Sequence, residues 1–261
     1  MNPFAYDFMV NAYLAAAAVA LLAGAVGYFL VLRGQSFAGH ALGHVGFAGA
    51  TGALLLGAPP LAGLVAVSTA GGMLMGALGP DLAERDIGIG LVLSASLGLG
   101  LLCLNFVTGS ATAATALLFG NVLGVDAPTL HGLVLVCALA LALLAAQARP
   151  LLFASLQPEL AAARGVRLRL QGMMFLGLTG LAVAGAAQIV GVLLVFCLLV
   201  GPAATAQRLT ARLWPGFFLT LALALAEALG GLTLAFYTDW PTSFWISALG
   251  AMAYAWAMWR P

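Results

Sequence analysis

The chain contains no lysine at all. A phosphate-binding loop of the form GxxxxGK[ST] therefore cannot exist in it, and any driving energy comes from another chain or from an ion gradient. Charge of either sign is scarce: 7% of residues are charged, against roughly 25% in a soluble globular protein. So few charges cannot cover a water-facing surface, and the bilayer must be the solvent. Cysteine is nearly missing too. Cys103, Cys137 and Cys197 are scattered through apolar runs without any CxxC spacing, so they read as small buried hydrophobes. No nucleophile–base set is visible, which argues against an enzyme. The net charge of +1 says nothing about partners, and no motif suggests nucleic acid.

What fills the chain is apolar residues, 64% of the total, in continuous runs of about twenty. A β-barrel would alternate in segments of about ten. The expected fold is therefore all-α: one polytopic membrane domain over residues 1–261. A helix rises about 1.5 Å per residue, and about twenty residues cross the hydrocarbon core. Spans are expected near 9–31, 41–58, 61–79, 88–107, 130–147, 171–187, 189–206, 214–236 and 243–259. The Gly-rich second span could be broken or cross only partly, and an eight-span chain would need one re-entrant hairpin. The first run is too long for a signal peptide and lacks a basic start, so it reads as a retained span.

The arginines orient this array. Arg33, Arg85, Arg149, Arg164, Arg167, Arg169, Arg208, Arg212 and Arg260 all fall on one side of a nine-span topology. That side is expected to be cytoplasmic, which puts the N-terminus outside and the C-terminus inside. Asp126 and Asp239, next to Pro128 and Pro241, then lie outside, where each reads as a helix cap before a ligand. His131 reads as solvated. Asn105, Asn121 and Gln188 read as caps or bridges between helices.

The longest polar segment covers residues 148–170. Pro158 suits a helix start, Glu159 its first turn and Gly165 its end. Such a short helix is either a docking element for a soluble subunit or part of an ordinary basic loop. Small residues at spacings of three and four, Gly72/Gly76 and Gly180/Ala184 among them, suit close helix packing in lipid.

Few polar residues sit inside the spans. His40 and His44 are four apart and share one helical face, where two imidazoles can ligate one metal ion. The spacing resembles HExxH, but Ala41 stands where that motif has its general base, which argues against a metalloprotease. The alternative is a pair of helix-packing histidines. Glu227 lies two turns inside the eighth span and must be protonated, paired or cavity-facing.

Several segments together resemble the permease subunit of bacterial ABC importers for zinc, manganese and iron. Val31–Gly57, VLRGQSFAGHALGHVGFAGATGALLLG, resembles that family's arginine turn, D-x-x-x-H and small-residue run. Leu117–Leu130, LLFGNVLGVDAPTL, is similar to its LFGD-like segment, and Gln157–Val166, QPELAAARGV, to its DPE-x-A-x-x-x-G stretch. Val190–Leu209 carries its PAATA and arginine as Pro202, Ala203, Ala204 and Arg208. YTDWPTSF, from Tyr237 to Phe244, resembles its YYLD-x-PSG. Three positions depart: His40 stands for an aspartate, Asn121 for an acidic residue and Gln157 for an aspartate.

The resemblance implies an inner-membrane permease that works as a homodimer and transports a divalent metal ion as substrate, with no permanently bound cofactor. ATP would bind a separate cytoplasmic ATPase docked on Pro158, Glu159, Ala161 and Gly165, and an extracytoplasmic protein would deliver the metal. His40 and His44 would line the path, with Glu227 and Asp239 as secondary candidates. A His–His pair is more nitrogen-rich than Asp–His and favours zinc over manganese, so zinc is the first expectation, with manganese or iron next. Two rival readings remain: a permease for a chelated metal such as a siderophore or cobalamin, and a proton-coupled carrier that uses Glu227 and needs no ATPase.

Overall fold

The computed structural model describes residues 6–78, 82–107 and 116–259. Arg260 and the end of the expected third span therefore lie outside the described residues. Those residues form helices α1 (Asp7–Leu32), α2 (Ser36–Leu55), α3 (Pro60–Ala77), α4 (Leu82–Asn105) and α5 (Ala127–Leu156). After these come the short α6 (Pro158–Ala163), then α7 (Leu168–Val190), α8 (Val195–Leu209), α9 (Leu213–Thr238) and α10 (Thr242–Trp259). No strand occurs among the described residues. Each expected span has its own helix. By length and composition, α1, α3, residues 86–105 of α4, α5, α7 and α9 can cross a membrane.

Helix α1 is apolar on every side, the pattern of a helix buried all round. Met9, Ala12, Val19, Leu22, Val26 and Leu30 are all fully buried, and α1 packs against α5, α7, α8 and α9. A second group, α2, α3, α4 and α7, is held by glycines, since lipid gives apolar helices no hydrophobic reason to associate and close packing must do it. A Cβ at Gly49 or Gly63 would overlap the facing helix backbone, and the same holds for Gly72 and Gly180 between α3 and α7. Ser68 sits where three helices meet. Its hydroxyl donates to the Leu42 carbonyl of α2 at 3.4 Å, while its own carbonyl abuts Gly180 of α7.

Three expectations need correction. The second span is not broken: α2 is continuous and begins at Ser36, because its glycines are spent on close contacts and not on turns. The seventh span does not start at residue 189. Helix α7 runs to Val190 and stops at Gly191, whose φ of 79° and ψ of 160° lie where essentially only glycine fits. The backbone freed there is paired again: the Val192 and Leu193 amides donate to the Leu117 and Leu118 carbonyls at 3.1 and 3.2 Å. Val192 is buried, where such donors must find partners inside the protein. Third, the loop expected over 148–170 is mostly helix, since α5 runs on to Leu156 through Pro150 and α7 begins at Leu168. Asp239 caps a helix as expected: it is the C-cap of α9, in the left-handed region at φ 57° that aspartate tolerates better than most residues. Asp126 is an N-cap as expected, its carboxylate accepting from the Thr129 amide at 3.1 Å.

Side-chain bonds collect the arginine-bearing helix ends together. Arg33, after α1, donates to Ser155 at the end of α5. Arg169, at the start of α7, donates to the Ala77 carbonyl ending α3. Tyr28 of α1 donates to the Leu213 carbonyl at the start of α9, and Gln207 of α8 donates to the Tyr28 carbonyl.

Candidate metal path and docking helix

Helix α2 carries the two histidines. Its glycines at 39 and 43 abut α1 and α8, and those at 46 and 49 abut α3. This close packing presses the neighbouring turn, with His40 and His44, into the bundle. The imidazole centroids lie 5.1 Å apart, edge to face at 85°. His40 is half-buried and its ring meets Phe196 of α8 edge-on, with centroids 5.5 Å apart. His44 is 8% exposed, and its Nδ1 is buried with no hydrogen-bond partner. A buried polar atom without a partner is costly. With the ring proton on Nε2, the Nδ1 lone pair faces no hydrogen-bond donor. Two imidazoles supply half of a tetrahedral zinc shell.

Glu227 lies elsewhere. It is 3% exposed, and neither carboxylate oxygen has a hydrogen-bond partner. The side chain fills the cleft that Gly201 of α8 and Gly250 of α10 leave open; a Cβ at Gly250 would come within 3.0 Å of Oε2. Asp239 is exposed at the far end of α9, about 18 Å of helix rise from Glu227. No group of three or more metal-ligating side chains occurs among the described residues. The structure thus joins His40 to His44 and brings neither Glu227 nor Asp239 into a shared cluster with them. Sequence reasoning missed Phe196, which adjoins His40 only because α8 packs on α2; no spacing signals it.

The polar loop resolves into a small platform. Pro158 opens α6 and Gly165 follows its end at φ +86°, a conformation that suits glycine. Ala161 is fully buried and pins the helix, while Glu159 and Leu160 point outward. Pro202 and Ala203 are buried in the middle of α8, Ala204 is half-buried, and Arg208 is exposed in the last turn, where a cation suits the helix dipole. A cavity of about 440 Å³ opens near the Gly191 break, lined by apolar side chains together with Asn121, Thr129 and Gln188. It holds neither histidine.

The chain is similar to the manganese import system permease protein ScaB of Streptococcus parasanguinis, at 33% identity over 86% of this chain and 81% of the relative. It is also similar to the chelated iron transport system membrane protein YfeC of Yersinia pestis, at 29% identity over 97% of this chain and 86% of that one. Among solved structures, PsaBC from Streptococcus pneumoniae in complex with Fab superposes with a TM-score of 0.87 at 27% identity, covering 98% of this chain and 92% of that chain. The ABC 3 transport family matches residues 5–261, practically the whole length, and the chain belongs to that family.

Proposed function

We propose that this chain is the permease subunit of an ATP-driven importer of a divalent metal ion, with zinc as its cargo. The observation that carries the reading is the His40–His44 pair, packed edge to face on one turn of α2 with the Nδ1 atom of His44 buried and bare. A divalent ion cannot cross hydrocarbon without ligands that replace its water shell. Neutral imidazoles do this for zinc, copper, nickel and iron, whereas manganese is better served by oxygen. Two copies of the chain facing each other across a path would supply four imidazoles, a full tetrahedral set. Binding there must be strong enough to accept the ion and weak enough to release it.

ATP would bind a separate ATPase subunit docked on α6, whose exposed Glu159 and Leu160 offer one acid and one apolar contact. An external protein would deliver the ion on the opposite face. In this arrangement the end that gathers the arginines is cytoplasmic, the N-terminus is outside and the chain sits in the inner membrane.

A second reading has its own support: the relatives' names carry manganese and chelated iron. One experiment separates the readings. Uptake of zinc, manganese, iron and cobalt is measured in cells that co-express the cognate ATPase and binding protein, for the wild type and for His40→Ala and His44→Ala at equal membrane abundance. Selective zinc uptake, lost in both variants, is the expected result. Manganese uptake would move the cargo to that of the relatives, and uptake of chelated metal alone would make the histidines packing residues. Full uptake in both variants would refute the metal path through α2.

A further inference from the structure

The docking helix α6 is short and pinned only by Ala161, so its movements must reach the histidines through its neighbours. Three residues before it, Ser155 closes the last turn of α5. The guanidinium of Arg33 spans from there to the base of α2. Its Nη1 donates to Ser155 Oγ at 3.0 Å, its Nε donates to Gln35 Oε1 at 3.2 Å, and its Cζ lies 5.5 Å from the centre of the fully buried Phe175 ring of α7. Gln35 is the N-cap residue of α2, and His40 follows one turn later. One planar cation thus touches the stem of the docking helix, the helix that follows it and the first turn of the histidine helix. None of the glycines of α2 approaches α5. The link between these two elements therefore runs through a side chain and not through tight backbone contact.

The other flank of α6 differs. Arg169 ties α7 to α3 through the Ala77 carbonyl, but α3 and α7 are already locked by Gly72, Gly76 and Gly180. That arginine is a redundant strap on an interface that cannot separate.

We infer that Arg33 is a positioning residue that couples displacement of the docking helix to the histidine turn of α2. It touches no cargo. Its planar fork holds Ser155 and Gln35 at once, a geometry lysine cannot reproduce with one point charge. The inference rests on the reading of the chain as an ATP-driven permease.

The test uses the whole complex, permease with ATPase and binding protein, in proteoliposomes, and reads metal carried per ATP hydrolysed. Ser155→Ala should lower that ratio about threefold and Arg33→Gln about tenfold, with the KM for metal unchanged and basal hydrolysis retained. Arg33→Lys should recover only part of the loss. The double variant should be no worse than Arg33→Gln alone, because both remove one link. Arg169→Gln should keep the wild-type ratio. A wild-type ratio in both Arg33→Gln and Ser155→Ala would overturn the inference, as would losses that multiply in the double variant. A purely structural role would instead lower hydrolysis and uptake together at a constant ratio, which also overturns it. A wild-type complex that hydrolyses ATP yet carries no metal overturns the functional reading, a different and recognisable failure.

Discussion

Gly76→Ala probes what holds α3 to α7. A Cβ at Gly76 would lie 2.6 Å from the Gly172 carbonyl oxygen and equally close to the Met173 backbone, where ordinary contact begins at 3.4 Å. The facing atoms are backbone and cannot rotate away, so the helices must part locally by about 0.8 Å. Overpacking of this kind costs about 1–3 kcal/mol. Gly132 of α5 is the control, because a Cβ there meets nothing within 4 Å. Both changes gain the helix propensity of alanine, about 1 kcal/mol, so that term cancels between them. Gly76→Ala should therefore unfold about 1–3 kcal/mol more easily than Gly132→Ala. Denaturation by sodium dodecyl sulfate in mixed micelles, followed by circular dichroism, reads the difference. Equal stability of the two variants to within about 0.5 kcal/mol would refute the claim that glycine contact holds these helices.

Other outcomes follow from the same geometry. Gly191→Ala forces a side chain into a glycine-only conformation and against the Leu118 carbonyl; the backbone strain alone costs about 1–3 kcal/mol, and folded yield after detergent extraction should drop. Asp126→Ala should lower the melting temperature at neutral pH, and Asp126→Asn should largely keep it. The Thr129 hydroxyl and amide hold the Asp126 carboxyl below the ordinary carboxylate range. Its contribution is therefore complete above the ordinary value and lost as pH falls through the depressed one, so wild type and Asp126→Ala should converge in acid. Gly165→Pro cannot adopt φ +86° and should lower co-purification of the ATPase, as should Glu159→Arg, while both variants still insert in the membrane. Normal recovery of the complex from both would discard α6 as the docking element.

Much of this architecture is legible because lipid imposes long apolar segments, and each expected span has its helix. The misplacements share a cause. Hydropathy reports where a chain stops being greasy, whereas a helix stops where its hydrogen bonds do. Helix α5 continues past Gln147, whose side chain accepts from Gln171 of α7, and past Arg149, because polar side chains do not interrupt the peptide ladder; it also runs on through Pro150, which forfeits only the bond its missing N–H would make. The break at Gly191 is hidden for the opposite reason: its freed amides are paired with Leu117 and Leu118, far away in sequence. The histidine pair is legible because a spacing of four is a local geometric fact. Its contact with Phe196 and the cleft around Glu227 depend on how distant helices dock.

The two ends of the bundle are fastened with different materials. At the Gly191 end, peptide groups of residues 117–121 bond to those of residues 188–193, with the Asn121 amide donating to the Gln188 carbonyl at 3.4 Å. At the α6 end, the hydrogen bonds that fasten α1, α2 and α5 come from arginine, serine and glutamine side chains. A single codon change can delete a side-chain bond and leave the fold intact, but it cannot delete a peptide group. Single substitutions can thus retune the α6 end in small steps, whereas at the Gly191 end they leave the peptide bonds in place.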